Sequence, residues 1–135
     1  MRYIMLIYSG KSPNGLSPEQ EQAVKQQHWA LIEDATRRGI LRAVEPLSPA
    51  SNATSVRVRE GKTILSDGPF AETKEQLAGF YVLDCKDLDE AIEWAARIPT
   101  LCQGDYGCIE VRPLPGLPVR QEEAAEHAVS TGVNG

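Results

Sequence analysis

Two histidines occur in the chain, His28 and His127, and His28 is the one whose setting suits proton transfer. An imidazole titrates near pH 6.5, so it can give or take a proton at neutral pH without a large shift. His28 falls four residues after Val24 and three before Leu31, on the apolar stripe of a helix, and so points inward. The competing reading is an ordinary hydrogen-bonded core or rim histidine. Asp67 is the candidate carboxylate partner: at a strand end, facing inward, it would orient the imidazole and stabilise its protonated form. Asp before Gly is also a common turn former that bonds its own backbone. Tyr8, Arg42 and Tyr81 are candidate ligand contacts in an apolar pocket between sheet and helices, with packing and surface solvation as the alternative. Glu72, Lys74 and Glu75 form a charge run that reads as a solvated rim.

Other chemistries lack support. Cys102 and Cys108 are outside zinc-knuckle spacing, and His28 with His127 has no third ligand suggested by the sequence, so no metal or other cofactor is expected. Neither a glycine-rich dinucleotide or phosphate loop nor a Gly-x-Ser-x-Gly elbow is present. With 14 basic against 19 acidic residues and a formal charge of -5, and with no basic run, sequence-independent nucleic-acid binding is not expected. No stretch approaches the ~20 apolar residues that span a bilayer. Three cysteines without an export signal read as reduced thiols, and a cytoplasmic location is expected.

The elements that must position these residues follow from periodicity. Tyr3 to Tyr8 and Leu77 to Leu83 are apolar on both alternating faces, which predicts two central strands. Ser17-Pro18-Glu19-Gln20 is a capping box with proline at the first helical position, opening a helix that Arg37, Arg38 and Gly39 close. Its stripe is Val24, His28, Leu31, Ile32 and Ala35. Ile40 to Leu47 reads as a strand. Thr54 to Arg59 and Thr63 to Ser66 form a β-hairpin about Gly61, ended by Asp67-Gly68-Pro69, which holds Phe70 at the rim of the sheet. Asp87 caps a second helix with an inward stripe of Leu88, Ala91, Ile92, Ala95 and Ile98, flanked by Trp94 and terminated by Pro99. Cys108 to Arg112 is the final strand. Residues 118–135 read as an acidic, flexible tail with one short helical stretch over Gln121 to Val129.

The order β-α-β, hairpin, β-α-β predicts an α+β fold: a ferredoxin-like antiparallel sheet with an inserted hairpin, spanning residues 1–117 as one domain. Two helices cover one face of such a sheet. The other face also carries apolar side chains, and a homodimer through that open face is the expected way to bury it.

One long motif carries a family resemblance. Ser66-Asp67-Gly68-Pro69-Phe70-Ala71-Glu72-Thr73-Lys74-Glu75-Gln76-Leu77-Ala78-Gly79-Phe80-Tyr81, with Asp87-Leu88-Asp89-Glu90-Ala91, Glu93-Trp94-Ala95-Ala96 and Ile109-Glu110-Val111-Arg112-Pro113, resembles the DGPF branch of the YCII-related family. The resemblance implies a dimeric α/β-barrel domain, often encoded near or fused to extracytoplasmic-function sigma factors. It also implies a His on the first helix paired with an Asp just before the proline that ends the second. Here His28 fills the first place, but Ile98 precedes Pro99. Two functions therefore stand beside each other. The favoured one is a homodimeric small-molecule-binding or regulatory domain linked to sigma-factor regulation; the alternative is a cofactor-independent lyase or isomerase with His28 as general acid or base.

Overall fold

The computed structural model describes residues 1–10, 16–71, 75–99 and 107–118. Glu72, Lys74, Cys102, His127 and the expected tail helix lie outside the described residues. The order is β1 (Arg2–Gly10), α1 (Pro18–Arg37), β2 (Leu41–Pro46), a single 3-10 turn (Ala50–Asn52), β3 (Thr54–Arg59), β4 (Lys62–Asp67), β5 (Glu75–Asp84), α2 (Leu88–Ala95) and β6 (Gly107–Leu114). Four strands form an antiparallel sheet in the order β2-β5-β1-β6, and β3 with β4 forms a separate two-stranded sheet. This is the α+β arrangement expected, compatible with a ferredoxin-like fold. The two doubly apolar stretches, β1 and β5, are the central pair.

Alternation in β1 assigns its two faces. Tyr3, Met5 and Ile7 are buried, and their in-register partners on β5 are Leu83, Tyr81 and Gly79. Both helices cover this face, because Leu31 and Ala35 of α1 and Ala91, Trp94 and Ala95 of α2 join those strand residues in one core. Met5 is fully buried and Leu31 is 2% exposed. Side chains of this size contribute about 1.5–3 kcal/mol each when withdrawn from water. The opposite parity, Ile4, Leu6, Tyr8 and Phe80, is only partly buried, with no helix over it.

Local signals act as read in α1. The Ser17 hydroxyl accepts from the Gln20 backbone N–H at 3.1 Å while the Gln20 side chain accepts from the Ser17 N–H at 2.9 Å. Gly39 takes φ 72°, the left-handed conformation that releases the chain into β2. The hairpin turn places Glu60 at φ 51° and Gly61 at φ 75°, the mirror-image turn that matches strand twist.

Three expectations are corrected. In α2 the buried residues are Ala91, Trp94 and Ala95, followed by Ile98, while Leu88 and Ile92 are each 50% exposed. Trp94 sits inside the stripe rather than beside it, because the i, i+3, i+4, i+7 series that begins at Ala91 brings the largest side chain of the helix to the core. Strict alternation through β5 would put Leu77 on the face of Tyr81. A register shift opposite Ile7 and Tyr8 breaks the alternation, and Leu77 is 39% exposed. Phe70, placed by the sequence at the rim of the sheet, is 83% exposed.

Candidate functional site

His28 projects from the middle of α1 toward β5, where its Nδ1 lies 2.7 Å from the Tyr81 hydroxyl. The two rings are stacked, with centroids 5.9 Å apart and planes 13° from parallel. Tyr81 is fully buried. Burial pushes its phenol up to about 12, so at neutral pH the hydroxyl keeps its proton. Burial likewise lowers His28 below its ordinary 6.5, and a hydrogen bond to the backbone of Pro99 partly opposes that fall.

The Tyr81 phenol keeps its proton and can donate it to Nδ1 of a neutral ring whose proton is on Nε2. The imidazole joins three elements: α1, β5 and the segment that follows α2.

Ile98, standing where the resemblance implies an acid, is 6% exposed and belongs to the core. An apolar side chain at that place cannot balance the charge of a protonated imidazole. Asp67, the sequence-level substitute for the missing acid, is corrected: it lies exposed at the end of β4, opposite Thr54 in the separate hairpin sheet. It faces solvent because the hairpin does not join the main sheet.

The remaining candidates are dispersed. Tyr8 has the parity of the open face, and its hydroxyl is 3.5 Å from Glu110. Arg42 is at the far end of the sheet, where it donates to Asp84 at 3.1 Å and to the Gly39 carbonyl at 2.8 Å. Only Tyr81 is brought to His28.

A residue the sequence did not single out is Ser9. It has the parity of Tyr3, Met5 and Ile7, the helix-covered face of β1, and its hydroxyl oxygen is buried with no hydrogen-bond partner among the described residues. The available signal was a polar residue closing the inward series Tyr3, Met5, Ile7, Ser9. Ending the strand at Tyr8 concealed it. Ser9 lies at the sheet end where β1 closes and β6 opens, paired with Gly107.

A second cluster ties the helices together. Asp34 accepts from Arg37 at 2.7 Å, from Arg38 at 3.1 Å and from Arg97 at 2.8 Å. The guanidinium groups of Arg97 and Arg38 also stand over the Trp94 ring, 4.5 Å and 5.4 Å from its centroid. The Arg97 hydrogen bond first, and then the charges of Arg38, Arg97 and Arg37, hold the Asp34 carboxyl below its ordinary range against partial burial. This cluster clamps α1 to the end of α2, which also sets Pro99 relative to His28.

Residues 1–115 match the model of the YCII-related domain. An uncharacterized protein of Rhizobium meliloti (strain 1021) is 40% identical over 115 residues, covering 84% of this chain and 92% of that protein.

Proposed function

The chain belongs to the YCII-related family, and from that premise we propose that it is a homodimeric domain that binds a small molecule in a regulatory role. One observation carries the preference for binding over turnover. The His28 imidazole is kept neutral by burial, and its Nδ1 is held 2.7 Å from the fully buried Tyr81 hydroxyl, which ties that nitrogen to the core. Such a ring is a fixed polar wall. The buried Ser9 hydroxyl, on the same helix-covered side of the sheet, offers a donor and an acceptor to a polar ligand. The long motif through Tyr81 supports membership of the DGPF branch, and the link to sigma-factor regulation rests on that resemblance. The homodimer uses the open face that carries Ile4, Leu6, Tyr8 and Phe80.

The test is a thermal-shift screen of polar metabolites against the full chain, repeated on Ser9→Ala and His28→Gln. A ligand that raises the melting temperature of the parent and loses that effect in both variants supports the site. Ligands that stabilise parent and variants equally place binding elsewhere and overturn it.

The catalytic alternative draws on the depressed His28 titration, which leaves the imidazole unprotonated at neutral pH. Turnover of a screened ligand, with a pH-rate profile rising through an apparent pKa below 6.5 and abolished by His28→Gln, would replace the binding proposal.

A further inference from the structure

The β3-β4 hairpin is a surface in search of a partner. Thr54 pairs with Asp67, Val56 with Leu65 and Val58 with Thr63, which places Val56, Val58 and Leu65 on one side of the ribbon. These three are 61%, 68% and 66% exposed. An isolated two-stranded hairpin is marginal in water. This one is nevertheless well specified: a mirror-image turn, six residue pairs, and a base fixed by Ser55 donating to the Gly68 carbonyl at 2.7 Å and by the Gly68 N–H donating to the Ala53 carbonyl at 2.7 Å. A held base makes the hairpin project as a unit.

We propose that the hairpin is an arm that reaches the second copy of this chain and lays Val56, Val58 and Leu65 on that copy's open sheet face. The proposal deepens the homodimer reading and rests on it. Charge points to a second copy as the occupant. The hairpin carries Arg57, Arg59 and Lys62 against Glu60 and Asp67, a basic excess on a chain whose formal charge is -5. Register places Glu45, Phe80, Leu6 and Glu110 in one row across the four strands of the open face: two apolar side chains between the Glu45 carboxylate and the Glu110 carboxylate, the latter paired on its own strand with Arg112 at 3.3 Å. Apolar arm residues meet the centre of that row. Arg57, Arg59 and Lys62 have stems long enough to reach around the ribbon edge to its acidic ends. In the chain the arm lies between β2 and β5, the strands that carry Glu45 and Phe80. A two-fold axis then forms the contact twice.

Sedimentation velocity at micromolar concentration tests this with the full chain. The parent is expected to be a dimer, and Val58→Lys with Leu65→Lys to raise the dimer dissociation constant at least tenfold while circular dichroism stays unchanged. A charge exchange makes the test specific. Chains carrying Arg57→Glu and Arg59→Glu, and chains carrying Glu45→Lys and Glu110→Lys, are expected to dimerise weakly alone and to form a mixed dimer together. A monomeric parent overturns the homodimer reading and the arm with it. A dimeric parent whose arm variants dimerise as tightly, or whose charge-exchanged chains fail to pair, overturns the arm alone.

Discussion

The Tyr81 hydroxyl stands 2.7 Å from Nδ1 of His28, and the same imidazole meets the Pro99 backbone, so one ring links the first helix, a central strand and the end of the second helix. Burial favours its neutral form, and the Pro99 backbone only partly opposes that preference. Because burial lowers the His28 pKa in the folded state, the unfolded chain binds the proton more readily. The contribution is therefore complete above the unfolded value of about 6.5 and is lost as pH falls through the folded one. Nuclear magnetic resonance titration of the His28 ring should give a midpoint below 6.5. Urea unfolding should show stability declining on acidification below about pH 6.5, a decline reduced in His28→Gln.

Tyr81→Phe removes the donor to Nδ1 and keeps the ring packing. The expected cost is about 1–2 kcal/mol in urea unfolding, the loss for one partner of a buried hydrogen bond. Tyr81 also bears on the alkaline limit. Its folded pKa of about 12 exceeds the ordinary 10.0, so its contribution is present below pH 10 and lost as pH rises toward 12. The phenolate absorbance of the native protein should show one tyrosine titrating about two units late.

Much of this arrangement was legible in the chain because it is written in local patterns. The capping box at Ser17, the double-sided apolar runs of β1 and β5, and the glycine turn of the hairpin each impose their element through backbone chemistry that operates within a few residues. The inward direction of His28 followed from the same periodicity. Its partners did not. Tyr81 lies 53 residues away, and its meeting with His28 depends on how α1 packs across β5, which no local signal encodes. Asp67 was misplaced for a related reason: strand patterning identifies a hairpin but does not say which sheet it joins.

Asp34 is the acid that matters for holding the helices together, through Arg97 across 63 residues of sequence. Arg97→Ala should lower the urea midpoint more than Arg37→Ala, because Arg97 bridges two elements and stacks on Trp94, whereas Arg37 is exposed and bonds within its own helix. Asp34→Asn should lower it as well. The Asp34 pKa lies below 3.8 in the folded state, so its contribution is present above that value and lost as pH falls through the folded one. The parent's midpoint should drop on acidification below about pH 4, and the variant's should drop less.

Gly79 shows where close backbone approach, rather than a turn, demands a glycine. A Cβ built there would lie 2.8 Å from the Glu45 carbonyl oxygen and 3.3 Å from the Pro46 Cα, both backbone atoms of β2 with no rotamer by which to move aside. Gly79→Ala should therefore cost about 1–3 kcal/mol, in the range for overpacking, despite the conformational advantage alanine ordinarily has over glycine in a strand. Chemical denaturation measures this. If β2 is displaced to relieve the clash, amide exchange should accelerate at Val44 and Glu45 first.

The cysteines separate by burial. Cys85 is 1% exposed, and burial first, then the charges of Glu90, Asp84 and Asp87, pushes its thiol up to about 11 from 9.0. Cys108 is exposed on β6. Only the thiolate attacks an alkylating agent or an aromatic disulfide reagent, so the native Cys85 should be inert on both counts, access and ionisation. In a Cys102→Ser background, a thiol titration at pH 8 should find one reactive group in the native protein and two in denaturant. Cys108→Ser should abolish the native signal and leave the denatured one. Rapid native reaction of Cys85 would mean that the core beneath α2 opens on the timescale of the assay, since a thiol with that pKa and that burial reacts only through such opening.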